Sequence, residues 1–382
     1  MRRSSAQVDG VSEVQIRLLP RTAQSEVSSV WNALEARFGD GALTCSWDWT
    51  ESWVRHYADV VPVRFAIGER GGTPCGVALV TEPVVQLGGP LTIRELHLGT
   101  SGESLDETVY VEYNRLLVDP QAREPFIHGL LAAIDRDRRW DELRLTGFVP
   151  DDAVLLLANR PAMHARRVAC PAVDLRQADE VGGQVLDLLK SSTRQKIRRS
   201  LKGLGPIEVE WAETEEQALD VLEELIALHQ ARWNAVGKPG AFASPRSLGF
   251  HRELVPRLHR SGAAILFRAS AGGVTLGCLY AFVERGAVLF YQGGLASFED
   301  NRVKPGLVMH ALCMQACRDR GLTEYNLLAG DERYKHELAT ITRELVWASQ
   351  RRPRLKFRLI DGLRRARRWQ RELRGSRGAS PA

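Results

Sequence analysis

Apolar residues recur along this chain with two periods, and the two alternate in a repeating order. In VRFAIGERGGTPCGVALV near residue 65, two β-rich runs flank a Gly-Gly pair, and AAILFRASAGGVTLGCLYAF near residue 267 repeats the arrangement. Both predict hairpins. Gly72 and Gly76 match Gly273 and Gly277, each 201 positions apart. Ahead of the second hairpin, ALDVLEELIALHQARW places apolar residues at helical spacing. VSSVWNALEARFG and the cluster Trp47, Trp49 and Trp53 occupy the corresponding place in the first half. Farther on, EPFIHGLLAAIDRDRRWDELRLTG matches KPGLVMHALCMQACRDRGLTEYNLLAG: a proline, an amphipathic helix, then a short strand ending near glycine. Each half reads helix, hairpin, strand, helix, strand, which predicts an α/β fold with a mixed sheet.

The halves differ where that second helix opens. A helix mouth offers unpaired N–H groups and partial positive charge, so NRVKPGLVMHALCMQACRDRG (Asn301–Gly321) reads either as punctuation between elements or as a phosphate cradle. The first half carries Pro125-Phe126 where the second has Pro305-Gly306. Glycine lets another group approach the backbone and phenylalanine does not. If one half cradles a phosphate, it is the second. A boundary near Cys170–Pro171 gives domains of residues 1–170 and 171–350, followed by a tail, 351–382.

Charge sharpens the division. The net charge of +5 over 382 residues is concentrated in the tail, where 12 Lys/Arg face two acids and leave the body mildly acidic. Within the body one basic helix stands out over residues 185–202, with Lys190, Arg194, Lys196, Arg198, Arg199 and Lys202; it reads as a solvated face or as a surface for phosphate or an acidic partner. RLIDGLRRARRWQRELRGSRGASPA is a basic amphipathic helix with a Gly/Ser/Pro end, the kind of segment that rests on an anionic membrane surface or nucleic acid. Its deletion after Pro353 is expected to leave a folded protein. No apolar run follows the N-terminal residues and none is long enough to span a bilayer, which predicts a cytoplasmic protein, peripheral to the membrane if the tail docks there. Six scattered cysteines without a CxxC pair read as buried thiols, and no metal site is expected.

GxSxG, GxxxxGK[ST], GxGxxG and HExxH motifs are missing from the sequence. Three stretches carry candidate chemistry instead. LHQARWNAVGKPGAF ends a helix and brings His229, Arg232 and Trp233 within about one turn. LFYQGGLASF leaves Tyr291 and Gln292 at a strand end. LLAGDERYKHEL packs Asp331, Glu332, Tyr334, Lys335 and His336 into six positions after a strand, which is an ordinary helix start or the place where α/β enzymes put reacting groups.

In this order and spacing, LHQARWNAVGKPGAF, YQGG…KPG and AGDERYKHEL resemble the double-domain GNAT acyltransferases, and most closely the CelD-like branch associated with bacterial cellulose biosynthesis, relatives of the Fem aminoacyltransferases. The resemblance spans roughly residues 25 to 348. It implies two tandem GNAT-like domains, each a mixed, mostly antiparallel sheet flanked by helices, with a basic C-terminal helix. It implies donor binding and catalysis in the second domain, and a first domain without a donor site. The matching cradle for the pyrophosphate of acyl-CoA or acetyl-CoA is Val303, Lys304, Pro305, Gly306, Leu307 and Val308. The usual loop is richer in glycine, and Pro305 removes one N–H donor.

The resemblance further implies attack of an amine on the donor carbonyl, with Asp331 or Glu332 taking the proton, Tyr334 protonating the leaving group and Lys335 anchoring an anionic substrate or the donor's phosphates. His229, Arg232, Trp233, Tyr291 and Gln292 are then substrate-binding candidates, and an amine or amino sugar the acceptor. Two other functions fit the same residues. One is an aminoacyl-tRNA-dependent transferase, with tRNA held by the 185–202 helix and the tail. The other is a non-catalytic GNAT scaffold binding a partner in exopolysaccharide assembly.

Overall fold

The computed structural model describes residues 13–362 and 365, apart from 40, 41, 88–90, 161, 299 and 301. The first half runs β1 (Gln15–Pro20), α1 (Gln24–Phe38), α2 (Trp47–Tyr57), β2 (Val63–Arg70), β3 (Thr73–Thr81), β4 (Val84–Gln86), β5 (Thr92–Leu98), β6 (Leu117–Val118), α3 (Arg123–Arg136), β7 (Glu142–Phe148), α4 (Pro150–Ala158) and β8 (His164–Asp174). The second runs α5 (Val185–Leu188), α6 (Ser191–Leu204), β9 (Ile207–Trp211), α7 (Glu215–Ala235), α8 (Pro245–Arg260), β10 (Ala264–Ala271), β11 (Val274–Glu284), β12 (Ala287–Leu295), α9 (Pro305–Asp319), β13 (Glu324–Asn326), α10 (Arg333–Leu338) and β14 (Ile341–Arg351).

The repeat read from the glycines extends to the register of the backbone. In β2–β3, Gly68 pairs with Gly76 and the ladder then slips by one residue, so that Glu69 faces Pro74. In β10–β11, Ala269 pairs with Gly277 and Ser270 faces Thr275 after the same slip. The bulges are again 201 positions apart, which makes the two hairpins equivalent elements.

The sheet is mixed and mostly antiparallel, in the order β1-β2-β3-β5-β7-β14-β8-β13-β12-β11-β10-β9, with parallel pairs at β5–β7 and β12–β13. Its centre is a strand exchange. β8 ends the first half yet pairs with β13 and β14, and β14 ends the second half yet pairs with β7. The boundary expected at Cys170–Pro171 therefore falls inside β8, where Cys170 faces Arg343 and Ala172 faces both Ile341 and Asn326. Helices reinforce the join. The Trp49 ring of α2 lies edge-on 5.3 Å from Phe250 of α8 and 5.6 Å from Phe282 of β11. All six cysteines are buried free thiols, as their spacing predicts. Among the described residues no helix is long and apolar enough to cross a membrane.

One break in the repeat positions the site. β12 runs unbroken along β11, apart from a bulge that leaves Tyr291 without a partner between Phe290 and Gln292. Its first-half counterpart is split. Leu98 of β5 pairs with Val80 and Leu117 of β6 pairs with Val77, so residues 99–116 form a loop inserted where β12 has only its bulge. Thr81 Oγ1 donates to Ser101 O at 2.5 Å and Tyr57 Oη to Glu107 O at 2.7 Å, which fasten this loop near its start and at its middle.

Past β14 the chain remains attached to the first half. Phe357 and Ile360 are buried against Ile93. Arg354 Nε lies 3.1 Å from one carboxylate oxygen of Asp141, and Lys356 Nζ bonds the other. Asp141 is fully buried, so these cations neutralise a charge that burial would otherwise penalise heavily. Truncation after Pro353, expected from sequence to be harmless, should instead lower the melting temperature by at least about 5 °C, since it strands that carboxylate and uncovers Ile93. A truncated protein that melts with the full-length chain would refute this docking. The remainder of the basic tail, including its Gly/Ser/Pro end, lies outside the described residues.

Candidate functional site

β12 and β13 are paired only from Ala287–Glu324 to Leu289–Asn326. Beyond that point the strands diverge, and the mouth of α9 opens onto the gap. A cavity of about 920 Å³ occupies it, floored by β12, walled by the end of α7 and the start of α9, and closed by the turn after β13. Gly294 lets α7 lie directly on the strand: a Cβ there would come within 2.9 Å of Leu228 Cβ.

The α9 mouth has the features of an anion cradle. Pro305 occupies the first helical position, where its missing N–H costs nothing. Lys304 N–H donates to Ser200 Oγ of α6 at 3.1 Å, and Val308 N–H to Lys304 O at 3.1 Å. Between them, Gly306 and Leu307 have N–H groups with no acceptor among the described residues, and both line the cavity. A Cβ on Gly306 would meet only Leu295 Cδ1, at 3.2 Å, so the approach to the backbone is open. Lys304, Pro305, Gly306 and Leu307 line the cavity; Val303 and Val308 do not, and Val308 is fully buried in the core.

The first half shows the alternative. Phe126 is fully buried, and a Cβ on Gly76 would come within 2.7 Å of its ring; Gly68 lies closer still. The ring thus rests on the bare backbone of both hairpin glycines and fills the space that the second half leaves open.

The polar residues read from sequence divide once their partners are known. His229, Arg232, Trp233, Tyr291, Gln292, Glu332, Tyr334 and Lys335 all line the cavity. Asp331 does not: it lies in the turn before α10, its carboxylate fully exposed and held by His336 Nε2 at 2.7 Å. Asp331 is therefore a surface residue beside the cavity's turn rather than part of its lining. His229 has both ring nitrogens occupied, with Nδ1 3.2 Å from Gly293 O and Nε2 accepting from Ala241 N–H at 3.2 Å. Burial lowers its pKa, so it stays neutral and ties α7 to β12 and to the loop after α7. Lys335 is buried, its ammonium 2.7 Å from Ala329 O, 3.5 Å from Leu328 O and 3.2 Å from Glu332 Oε2. Those bonds use its three donors, so it positions the turn after β13. Arg232 and Lys304 are the cavity's exposed cations without ion partners among the described residues.

Four further residues complete the site. Tyr110 and Glu112 reach it from the inserted loop of the first half. Glu112 accepts the Ala329 N–H at 2.6 Å, and burial raises its carboxyl above the ordinary range. Glu112 and Lys335 thus grip opposite sides of one residue, Ala329, beside Leu328, whose φ of +61° is strained for a non-glycine. The Tyr334 ring stacks on His310 at 5.4 Å and 11°, and Phe290 meets His310 edge-on at 4.5 Å. His310 has its pKa pushed down to about 3 by burial and then by the Lys335 charge; its Nδ1 lies 3.0 Å from Tyr325 Oη. Burial raises the pKa of Tyr334, whose hydroxyl has no hydrogen-bond partner among the described residues, so it holds its proton. The sequence signal for His310 was its place one turn into α9; Glu112 and Tyr110 carried none, because the repeat lacks their loop. No cluster of metal-ligating residues occurs among the described residues.

Residues 190–336 match the family model described as an acetyltransferase (GNAT) domain. Solved structures with the same fold include FemX, 13% identical with a TM-score of 0.55 over 87% of this chain and 96% of that one. The C-terminal domain of a putative lysylphosphatidylglycerol synthetase from Agrobacterium fabrum is 14% identical, with a TM-score of 0.51 over 89% of this chain and 96% of its own. L-PGS from Bacillus licheniformis is 12% identical, with a TM-score of 0.50 over 84% and 90%. No curated protein matches the sequence. The chain thus has a GNAT-like mixed α/β fold, and the match to the acetyltransferase family model lies in its second half.

Proposed function

We propose that the protein is an N-acyltransferase that moves an acyl group from acyl-CoA to a primary amine, in the cavity of the second half. The observation that carries this reading is the pair of unpaired N–H groups of Gly306 and Leu307, at the mouth of a long helix, opening onto a gap between diverging strands. A pyrophosphate would accept both N–H groups, with Lys304 beside them. The acyl arm would then lie along β12 toward Tyr334. The amine nitrogen attacks the thioester carbonyl and loses its proton to Glu112 as the C–N bond forms. The C–S bond then breaks, and Tyr334 protonates the departing thiolate. Holding both reactants in one cavity supplies most of the acceleration such a site needs. The CelD-like branch and an amine or amino-sugar acceptor are the finer parts of this reading and rest on the sequence motifs.

A second donor is favoured by one observation. Ser200 Oγ, which receives the Lys304 N–H, belongs to α6; Arg199 and Lys202 of α6, and Lys190 at its N-cap, have no ion partners among the described residues. Such exposed cations on the helix that meets the cradle suit the phosphates of an aminoacyl-tRNA. A thermal-shift panel separates the donors. CoA, acetyl-CoA and longer acyl-CoAs at about 100 times their dissociation constants should each add about 2.7 kcal/mol of stability. Salt-sensitive stabilisation by tRNA, with none by CoA, would replace acyl-CoA with aminoacyl-tRNA; stabilisation by neither would leave a partner-binding scaffold.

A further inference from the structure

The first half contains its own counterpart of the cavity, and its chemistry has changed. Leu117 and Val118 follow the inserted loop and hold the ladder positions that Gly294 and Leu295 hold in β12: Val118 pairs with Gly76 as Leu295 pairs with Gly277. A cavity of about 550 Å³ opens beside them, bounded by the end of α1 and the start of α3, the counterparts of α7 and α9. Phe126 closes the cradle side, but the neighbouring space is open. Four arginines line it: Arg37 from α1, Arg115 from the loop end, Arg123 from α3 and Arg285 from the β11–β12 turn. No acid is among the described lining residues.

Four arginines lining one void repel one another unless other groups compensate them. Arg123 and Arg115 are held in place by carboxylates outside the cavity. Asp152 Oδ1 bonds Arg123 Nη1 at 2.7 Å while its other oxygen accepts the Leu116 N–H at 2.7 Å. Glu284 Oε1 lies 3.0 Å from Arg115 Nη2, and its other oxygen accepts the Leu43 N–H at 3.2 Å. Each carboxylate thus fixes both a guanidinium and the backbone around it. The Arg115 Nε–H is buried with no acceptor among the described residues. Arg37, lying over the Phe38 ring at 4.7 Å, has no carboxylate partner among the described residues. Arg285 sits at φ +52°, a conformation that glycine or asparagine adopts at less cost.

We propose that this cavity is a second ligand site, specific for a compact polyanion with two or more negative charges, such as a diphosphate or a small polycarboxylate. Planar guanidinium forks match such oxyanions bidentately, and the fixed carboxylates orient the forks in advance. Because Arg285 comes from the second half and the other three from the first, the ligand would bridge the halves, in a cavity that shares no lining residue with the one at the α9 mouth.

The test is titration calorimetry on the full-length chain at constant ionic strength, with inorganic pyrophosphate and citrate as probes and saturating CoA present to fill the donor cradle. The expected result is saturable binding of at least one probe, near one per chain, weakened at least tenfold in Arg37→Gln and lost in Arg37→Glu. Arg37 is exposed on the last turn of α1, so both variants should keep the wild-type melting temperature and CoA affinity. Arg285→Gly, which relieves the turn, should also weaken the probe while leaving CoA binding intact. Binding unchanged in the Arg37 variants, binding that CoA displaces, or no saturable binding of either probe would each overturn the proposal.

Discussion

Gly306→Phe should reduce CoA affinity at least a hundredfold, about 2.7 kcal/mol, while the protein stays folded. The substitution copies the first half into the second, since Phe126 holds the matching position. Its outcome differs from Phe126's own packing because the floor differs. Phe126 lies on Gly68 and Gly76; the second half has Ala269 and Gly277 there, and Gly277 is already covered by Leu295 and Met309. A ring at 306 therefore extends into the cavity, across the N–H groups of Gly306 and Leu307. Calorimetry should find one CoA per wild-type chain and none in the variant, with melting temperatures within a few degrees. Phe126→Gly is not a neutral control, because emptying a fully buried ring site costs about 3–5 kcal/mol. Normal CoA binding by Gly306→Phe would reduce Lys-Pro-Gly to punctuation between elements and remove the main support for acyl-CoA as donor.

What the sequence disclosed and what it hid follow from range. The hairpins, their equivalence and the contrast of Phe126 with Gly306 were legible because glycine spacing and helical periodicity are local. Most of the cavity's second-half wall was legible for the same reason: three short motifs end at strand and helix termini, and such termini meet at a sheet's open edge. The exchange of β8 and β14 was not, since the Arg343–Cys170 pairing joins residues whose local patterns are those of any strand. The exposure of Asp331 was not legible, because adjacency in sequence says nothing about which side chains of a turn face solvent. For Lys335 the charge was visible, but not the Leu328 and Ala329 carbonyls it bonds. Glu112 lay hidden in the one segment where the repeat fails. A search of the first half for what the second half lacks would have reached residues 99–116, and with them the first half's contribution to the site.

Glu112→Gln should lower turnover about 10²- to 10³-fold, the loss typical of removing a positioned base, with little change in donor affinity. The substitution preserves shape, and the amide oxygen can still accept the Ala329 N–H, so the turn after β13 should hold. Asp331→Asn, fully exposed and outside the cavity, should stay within about twofold of wild type, a contrast expected if the proton leaves through the first half's carboxylate. The pH dependence tests the same assignment. Burial raises the Glu112 pKa, and the base must be ionised to act, so turnover should rise with pH through that raised value; the limb should vanish in Glu112→Gln. Stability should run the other way. The folded state binds this proton more tightly than the unfolded state, so the stabilisation is complete below the ordinary carboxylate range and is lost as pH rises through the raised value. At neutral pH the wild-type carboxylate is therefore a burden on the fold, and Glu112→Gln should melt about 1–2 °C higher while turning over far more slowly. A variant that is both slower and less stable would mark Glu112 as a strut for the turn after β13, and would move the search for the base to Glu332.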